Sequence, residues 1–370
     1  MSRRGENIYK RKDGRWEGRY IRDYRSDGSI HYGYVYAYTY KEVRKALLPL
    51  KLKEVSVKKS SALTIPTMTV WLKEWLHARK EELKPSTYAT YQYKLQRYVL
   101  PFIVGKELTE FTEESVRSLI TTWQEEYKLS ASTIKSIFQV LQKALVAAFK
   151  KGYLLEDICE NIVLPKKKNQ RIHALSPKEQ TQLEKTASKD TVGLPILIAL
   201  RTGLRIGEIS ALTWDNIDIE NRKLYVQNTY QRIPSSDEEG KKTSLLLGET
   251  KTASSQRCIP LSRKLVRTLK KWKKTSRSHY LFTSNNHPME PRLLSYHFKR
   301  VAKKAALDHI HFHQLRHTFA TRCIEAKADI VSVSTLLGHA SAKTTLDIYV
   351  DSMFEQREKI IDNMEKLLAF

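Results

Sequence analysis

The chain has 370 residues, of which 65 are lysine or arginine and 40 are aspartate or glutamate, so its formal net charge at pH 7 is +25. This excess of positive charge predicts a polyanionic partner, and a hydrophobic content of 41% at this length indicates two or three folded domains and excludes global disorder. No apolar run approaches the length of a membrane span and the amino terminus lacks the apolar core of a secretory signal, so we expect a cytoplasmic protein without membrane contact.

The first 60 residues combine basic charge with regularly spaced tyrosines. They contain sixteen lysines and arginines against seven acidic residues, a net charge of +9. Alternate positions from Tyr32 to Tyr40 are tyrosine, a period that indicates a strand, and residues 12–14 and 25–28 have turn composition. We predict a three-stranded sheet followed by a helix near residues 41–50, in a DNA-binding domain of residues 1–55 with candidate contacts at Arg11, Lys12, Arg15, Arg19 and Arg22. For any single tyrosine, covering a small core is an equally good interpretation.

The next segment, residues 62–165, has the apolar periodicity of helices and is predicted to be an all-helical domain. Pro85 is typical of a helix start, and further helices are predicted over residues 113–126 and 134–150. A basic run follows, interpreted either as a hinge over a phosphate backbone or as a solvated linker, and it contains Lys166, Lys167 and Lys168.

The remainder of the chain, residues 172–370, begins with a helix-capping pattern at Ser176 and is mostly helical. Strand-like interruptions near residues 223–226 and 256–260 predict an α-rich domain with a small antiparallel sheet and a carboxyl-terminal helix. The whole chain is therefore predicted to be a multidomain, mainly α protein.

Several short segments of this third domain carry residues suited to phosphate chemistry. In residues 202–208, two glycines allow a tight turn that aims Arg205 inward to grip two phosphate oxygens, or else Arg205 forms a structural pair with Glu208. Lys251 lies in a turn between two predicted strands, where a lysine is ordinarily a solvated surface charge.

His313 and Arg316 are three residues apart, so they fall on one face of a helix. There, histidine can exchange a proton with a reacting oxygen while arginine neutralises a phosphate. Metal binding by His311, His313 and His317 is less favoured, because no glutamate separates the last two and no cysteine lies nearby. The cysteines form no metal-ligand pattern, and we expect buried or idle thiols at Cys159, Cys258 and Cys323.

The last segment runs from Gly338 to Tyr349. Gly338 is placed to end a helix, which puts His339 on the following turn, and Tyr349 lies ten residues further on. A single tyrosine is by default a core or surface residue.

In this order, these segments resemble the tyrosine recombinase family, the integrases of phages and integrative elements. The matching residues are Arg205 in a TGLRxxE setting, Lys251 in the sheet turn, His313 and Arg316 in HxLRH, His339 in LGH, and Tyr349 in the terminal tyrosine motif. The helical block resembles the family's core-binding domain, and the tyrosine-rich start resembles the arm-binding domain of some integrases. The catalytic domain would then be residues 172–370.

The resemblance implies site-specific cutting and rejoining of DNA through a covalent 3′-phosphotyrosine intermediate, by which a mobile element is integrated and excised. In this scheme Tyr349 attacks the scissile phosphate, and Arg205 and Arg316 clamp its non-bridging oxygens. Lys251 would protonate the leaving 5′-oxygen, and His313 would help to move the proton of Tyr349.

Two more residues support this scheme: His339 would hydrogen-bond the phosphate, and Glu208 would orient its neighbours. One phosphodiester is exchanged for a phosphotyrosyl ester of similar energy, so no ATP, metal or other cofactor is expected. The sequence agrees, since it has no Walker-type loop.

The resemblance also implies partners. These are double-stranded DNA at core and arm sites, a homotetramer on that DNA, a host DNA-bending protein and an excisionase, all at the bacterial nucleoid. We expect the segment 354–370 to pack on a neighbouring protomer or equally on its own domain, because it has helical apolar spacing at Ile360, Ile361, Met364, Leu367 and Leu368. The rival functions are a type IB topoisomerase-like relaxase and a non-catalytic DNA-binding repressor.

Overall fold

The structure is a computed structural model that describes residues 7–24, 29–47, 50, 65–166, 173–235, 242–249, 256–339, 341–342, 345–346, 361 and 364–365. The chain divides into two units, Met1–Lys167 and Lys168–Phe370. The fold is mainly α with small antiparallel sheets, as predicted. Among the described residues, no helix has the length and apolar character that crossing a membrane requires.

The predicted amino-terminal sheet is present. Strands β1 (Ile8–Lys10), β2 (Trp16–Tyr24) and β3 (Ile30–Ala37) pair antiparallel in the order β1-β2-β3, and helix α1 covers residues 40–47. Val43 and Leu47 of α1 pack over Gly18 so closely that a Cβ on Gly18 would lie within 2.6 Å of both side chains. The absence of a side chain at this position therefore lets the helix cover one face of the sheet.

The tyrosine alternation runs beyond the strand. Tyr38 lies in a bend and Tyr40 begins α1, so the predicted strand is too long at its carboxyl end. The hydroxyl of Thr39 accepts from the Glu42 N–H, and the Glu42 carboxylate accepts from the Thr39 N–H, both at 3.3 Å. This reciprocal pair starts a helix where side-chain periodicity alone indicates a strand.

Residues 65–166 contain the helices α2 (Met68–His77), α3 (Pro85–Tyr98), α4 (Glu113–Glu125) and α5 (Ala131–Lys151). They agree with the predicted helices, including the start at Pro85. Two buried tryptophans tie them together: the Trp71 indole donates to the Ala144 carbonyl at 3.0 Å, and the Trp123 indole donates to the Tyr98 carbonyl at 2.7 Å. Each large ring is thus buried with its polar atom satisfied.

The second unit contains the other elements. Its helices are α6 (Pro177–Lys189), α7 (Leu194–Thr202), α8 (Ile206–Ser210), α9 (Arg263–Thr275), α10 (Pro291–Lys304), α11 (Phe312–Glu325) and α12 (Ile330–Leu337). Ser176 caps α6 as predicted, in a reciprocal pair with Glu179. One apolar core joins the helices to the sheet, with buried side chains that include Ile198, Leu224, Leu269, Phe298 and Leu315.

The strands of this unit are β4 (Ile217–Asp218), β5 (Lys223–Val226), β6 (Asn228–Pro234), β7 (Thr243–Glu249), β8 (Arg257–Pro260), β9 (Thr283–Ser284) and β10 (His287–Pro288). The predicted sheet is confirmed, with β5 between β4 and β8. The pairs β6–β7 and β9–β10 were not predicted. The β7 sequence, TSLLLGE, has three consecutive leucines, so apolar and polar residues do not alternate along it. Leu245 and Leu247 are apolar but exposed.

Candidate active site

The turn after α7 places Arg205. Gly203 has φ of 66°, and a Cβ there would lie 2.6 Å from the Phe319 side chain and 2.7 Å from that of Leu337. The turn therefore packs directly on α11 and α12. Arg205 then begins α8: its backbone N–H donates to Glu208 Oε2 and its Nη1 donates to Glu208 Oε1, both at 2.8 Å. The expected pair with Glu208 is present, and 38% of the Arg205 side chain remains exposed, so its grip on a phosphate stays a prediction.

Glu208 is a buried carboxylate shared by two arginines. The Arg257 guanidinium donates to Oε1 at 3.1 Å and to Oε2 at 2.9 Å, and both side chains are only 3% exposed. Burial alone would raise the pKa of Glu208, but Arg257 and then Arg205 outweigh it and hold that pKa below its usual value. Glu208 is therefore ionised and holds both arginines in place.

Sequence reasoning missed Arg257. The strand around it was predicted, and burial alternates along β8 so that Arg257 and Ile259 point inward while Cys258 and Pro260 point outward. An arginine on the inward side of a predicted strand was the available signal, because an arginine is almost never buried without a partner.

Helix α11 carries His313 and Arg316, as predicted. Arg316 is 2% exposed and donates through Nη1 to the Gly203 carbonyl at 2.8 Å and through Nη2 to the Leu337 carbonyl at 2.7 Å. Burial, then the positive charge of Arg205, lowers the pKa of Arg316 to about 9, so the group stays charged at pH 7. Burial, then the charges of Arg316 and Arg205, also lowers the pKa of His313, which favours a neutral ring.

The carboxyl end of α12 is where the three arginines meet. The Leu336 carbonyl accepts from Arg257 Nε at 2.7 Å, and the Gly338 carbonyl accepts from Arg205 Nη2 at 3.3 Å. With the bond from Arg316 to Leu337, three consecutive carbonyls each hold one guanidinium. The last carbonyls of a helix lack partners within it and form its negative end, so this end attracts and orients cations. We call Arg205, Arg257 and Arg316 the arginine cluster.

His339 follows this helix end directly. Gly338 has φ of 65°, and the His339 N–H donates back to the Ser334 carbonyl at 3.1 Å, which closes the helix as predicted. Nδ1 of His339 lies 2.9 Å from the hydroxyl oxygen of Thr345. Burial, then the charges of Arg316 and Arg205, lowers the pKa of His339 to about 4, so the ring is neutral at pH 7.

The structure thus brings four of the predicted catalytic residues, Arg205, His313, Arg316 and His339, into one electrostatically coupled group with Glu208. Lys251 and Tyr349 lie outside the described residues. The group contains three guanidiniums and one carboxylate, so it has a surplus of positive charge that an anion such as a phosphate would balance. Within the described part of the chain, no cluster of histidine, cysteine or acidic side chains fits a metal ion.

The predicted contacts of the amino-terminal domain lie partly on the open face of the sheet, opposite α1. On this face Arg19 is 4.3 Å from the ring centre of Tyr32, and Arg11 and Arg15 lie over Tyr36 at 5.4 and 5.8 Å. Tyr36 remains exposed, as does Tyr34, so these two tyrosines do not cover a core. Arg11 and Arg15 are each also paired with a carboxylate, whereas Lys12, Arg22 and, beyond the helices, Lys166 are exposed. Lys167 and Lys168 lie outside the described residues.

The helices of residues 65–166 carry a cluster of basic and aromatic side chains that the sequence did not reveal. Lys143 donates to the Tyr91 hydroxyl at 2.7 Å, and the Trp75 ring stacks on Tyr91 at 6.3 Å between centres. Burial, then the charge of Lys143, lowers the pKa of Lys94, which donates to the Ser136 carbonyl at 3.2 Å. An anion would relieve the repulsion between the two lysines. They are brought together only by the packing of α3 on α5.

Comparison with known proteins gives consistent matches. The model of the phage integrase family matches residues 163–356, more than half of the chain, and that of the phage integrase N-terminal SAM-like domain matches residues 67–124. A relative from Caldanaerobacter subterraneus subsp. tengcongensis, named tyrosine recombinase XerC-like, is 24% identical over 363 residues, covering 88% of this chain and 93% of the relative.

Two solved structures are similar in fold. The Tn1549 transposon integrase in complex with a circular intermediate DNA has a TM-score of 0.66 at 19% identity, over 80% of this chain and 99% of that one. The lambda integrase, as a tetramer bound to a Holliday junction, has a TM-score of 0.58 at 19% identity, over 91% of this chain and 96% of that one.

Proposed function

The chain belongs to the phage integrase family and is a site-specific recombinase that cuts and rejoins DNA, and we propose that Tyr349 attacks a scissile phosphate held by the arginine cluster. The observation that carries this proposal is the convergence of three guanidiniums on one helix end, where two of them also pair with the buried carboxylate of Glu208. Two histidines with lowered pKa values belong to the same group. In this enzyme the reaction integrates and excises a mobile element.

The charge of the cluster suits the transition state better than the ground state. A phosphodiester carries one negative charge, and its pentacoordinate transition state carries two. Since Glu208 cancels only one of the three guanidinium charges, the remaining surplus matches the transition state. Arg257 and Arg316 are almost fully buried, so their charges act with little screening by water.

The proton transfers can be assigned to the remaining residues. As the bond from Tyr349 Oη to phosphorus forms and the bond from phosphorus to the 5′-oxygen breaks, the tyrosine proton passes to His313, whose lowered pKa keeps it ready to accept. Lys251 protonates the leaving 5′-oxygen, and His339 donates a hydrogen bond to the phosphate. The roles of Tyr349 and Lys251 rest on their sequence motifs.

Three surfaces would hold the DNA. We assign arm sites to residues 1–55, core sites to residues 62–165 and the scissile phosphate to residues 172–370. The exposed tyrosines and arginines of the open sheet face support the first assignment, and the cluster around Lys143 supports the second. Binding two sites with one chain raises the effective concentration of the second, and gives a host bending protein and an excisionase a way to control direction. Such an enzyme would work at the bacterial nucleoid, in the cytoplasm.

We further propose a homotetramer on DNA, the assembly in which the lambda integrase is seen. Most of the segment 354–370 lies outside the described residues, but Ile361 and Met364 have helical backbone and exposed apolar side chains. Packing on a neighbouring protomer would cover them. Deletion of residues 355–370 should lower the tetramer fraction on core-site DNA in analytical ultracentrifugation; unchanged assembly and recombination would contradict this role.

The central test is covalent adduct formation. Wild-type chain and the Tyr349→Phe variant are incubated with nicked duplexes taken from the DNA that flanks the gene, and adducts are separated on denaturing gels. The control is Tyr296→Phe, because Tyr296 is a tyrosine of the same unit that is 63% exposed and lies outside the site. We expect adducts with wild type and Tyr296→Phe and none with Tyr349→Phe.

The other outcomes favour the rivals. Tight binding without any adduct would favour a non-catalytic repressor. Tyr349-dependent relaxation of a supercoiled plasmid that carries no cognate site would favour a topoisomerase-like relaxase.

A further inference from the structure

Thr345 is a buried side chain that the reaction described above does not use. It has no exposed surface, and its hydroxyl oxygen lies 2.9 Å from Nδ1 of His339. A neutral imidazole has one N–H and one unprotonated nitrogen, and the partner of one nitrogen determines which form is present. The Thr345 contact is therefore in a position to select the form of the His339 ring.

The phosphate requires one form and not the other. His339 directly follows Gly338, whose carbonyl accepts from Arg205 Nη2 at 3.3 Å, so a phosphate bound to the arginine cluster would lie beside the ring. A ring N–H facing a phosphate oxygen is attractive, whereas an unprotonated nitrogen facing it places a lone pair against a negative charge. If Nδ1 accepts a hydrogen bond from the threonine hydroxyl, the proton of the neutral ring must reside on Nε2.

We propose that Thr345 is a positioning residue whose hydroxyl donates to Nδ1 of His339 and so keeps the ring proton on Nε2, the nitrogen left to hydrogen-bond the scissile phosphate. The inference rests on the proposed function of His339. Thr345 lies four residues ahead of the proposed nucleophile, and its hydroxyl contacts the histidine that follows the end of α12.

The first test determines which nitrogen of the His339 ring carries the proton. In the full chain labelled with ¹⁵N-histidine, long-range ¹H–¹⁵N spectra distinguish the two neutral forms, and the His339 signals are identified by their loss in His339→Ala. We expect the Nε2–H form in wild type and in Thr345→Ser, which keeps the hydroxyl. Thr345→Val has nearly the same shape without a hydroxyl, so it should show a mixture containing the Nδ1–H form. An Nδ1–H ring in wild type would overturn the proposal.

The second test measures the rate of adduct formation on the nicked duplex. Loss of one positioning hydrogen bond should slow adduct formation by Thr345→Val on the order of tenfold, with DNA affinity within about twofold of wild type. Thr345→Ser should restore most of the rate. Because Thr345 acts through His339, Thr345→Val should change the rate of His339→Ala by less than about twofold.

Two results would refute this role: equal slowing by the serine and valine variants, or a full additional loss in the His339→Ala background. If wild type forms no adduct at all, the proposed function fails, while the ring spectra still decide whether Thr345 selects the form of His339. The two failures are therefore distinguishable.

Discussion

Replacement of Glu208 by glutamine tests the electrostatic organisation of the arginine cluster. Glutamine has a similar shape but no charge, so Arg257, which is 3% exposed, would keep a buried charge without its counterion. Breaking a buried ion pair from one side costs about 3–5 kcal/mol. The bond to Arg205 adds little to this loss, because that side chain is 38% exposed and is screened by water.

Urea unfolding of the full chain, followed by tryptophan fluorescence, measures the effect. With a slope of about 2 kcal/mol per molar urea, the transition of the second unit, Lys168–Phe370, should move down by about 1.5–2.5 M in Glu208→Gln. Glu325→Gln is the matched control, because Glu325 is 37% exposed in its pair with Arg322 and should cost less than about 1 kcal/mol. Similar shifts for both variants would show that the buried pair of Glu208 and Arg257 contributes no more stability than an exposed pair.

A second variant identifies the buried charge as the cause. If the cost of Glu208→Gln is mainly the uncompensated guanidinium, then adding Arg257→Met should recover about 1–3 kcal/mol, although Leu336 then loses the donor to its carbonyl. Further loss of stability in the double variant would show that packing, rather than charge, dominates at this position.

The same pair makes stability depend on pH. The pKa of Glu208 is lowered in the folded chain, so its contribution is complete above the unfolded value, about 4.3, and is lost as pH falls through the folded value. The difference in stability between wild type and Glu208→Gln should therefore be constant from about pH 5 to 7 and shrink in more acidic solution. A difference that does not change with acidification would contradict an ionised Glu208.

Three other expectations concern separate parts of the chain. Gly203→Ala should destabilise the chain by about 2–4 kcal/mol in the same urea assay, since φ of 66° disfavours a side chain and the new Cβ meets two side chains at 2.6 and 2.7 Å. The control is Gly152→Ala, which should cost only about 1–2 kcal/mol because φ is 81° there but the new Cβ meets no other atom. Cys258 is exposed and should react with an aromatic disulfide at pH 8, whereas Cys159, whose burial raises its pKa to about 12, should stay unlabelled by mass spectrometry until the chain unfolds. Lys143→Ala should weaken binding to any duplex and reduce the slope of log affinity against log salt by about one in fluorescence anisotropy, and an unchanged slope would place the DNA elsewhere.

Local features of the fold were predictable because their causes are local. The start of α3 at Pro85, the cap of α6 at Ser176 and the end of α12 at Gly338 each depend on residues within one turn of the helix. The strand β5 was also predicted, because its inward and outward residues alternate. The β6–β7 hairpin was missed because its leucines are partly exposed and do not alternate.

The residues of the candidate site also fall into two groups, those that local sequence predicts and those that only the folded chain brings together. The placement of His313 and Arg316 on one face of a helix could be read from the sequence, since three residues make nearly one helical turn. The sequence also supplied the motifs from which the roles of Lys251 and Tyr349 are proposed. The place of Arg257 among these residues became visible in the folded chain, because its partner Glu208 lies 49 residues away on another element.

The meeting point at the end of α12 likewise required the folded chain. Arg205 is 133 residues from the Gly338 carbonyl that it contacts, and Arg257 is 79 residues from Leu336. No local pattern connects positions so far apart. The carbonyls at the end of a helix lack partners within that helix. They therefore bind the donors that α11, β8 and the turn after α7 bring to them. The sequence determines which donors are available, and the packing determines where they meet.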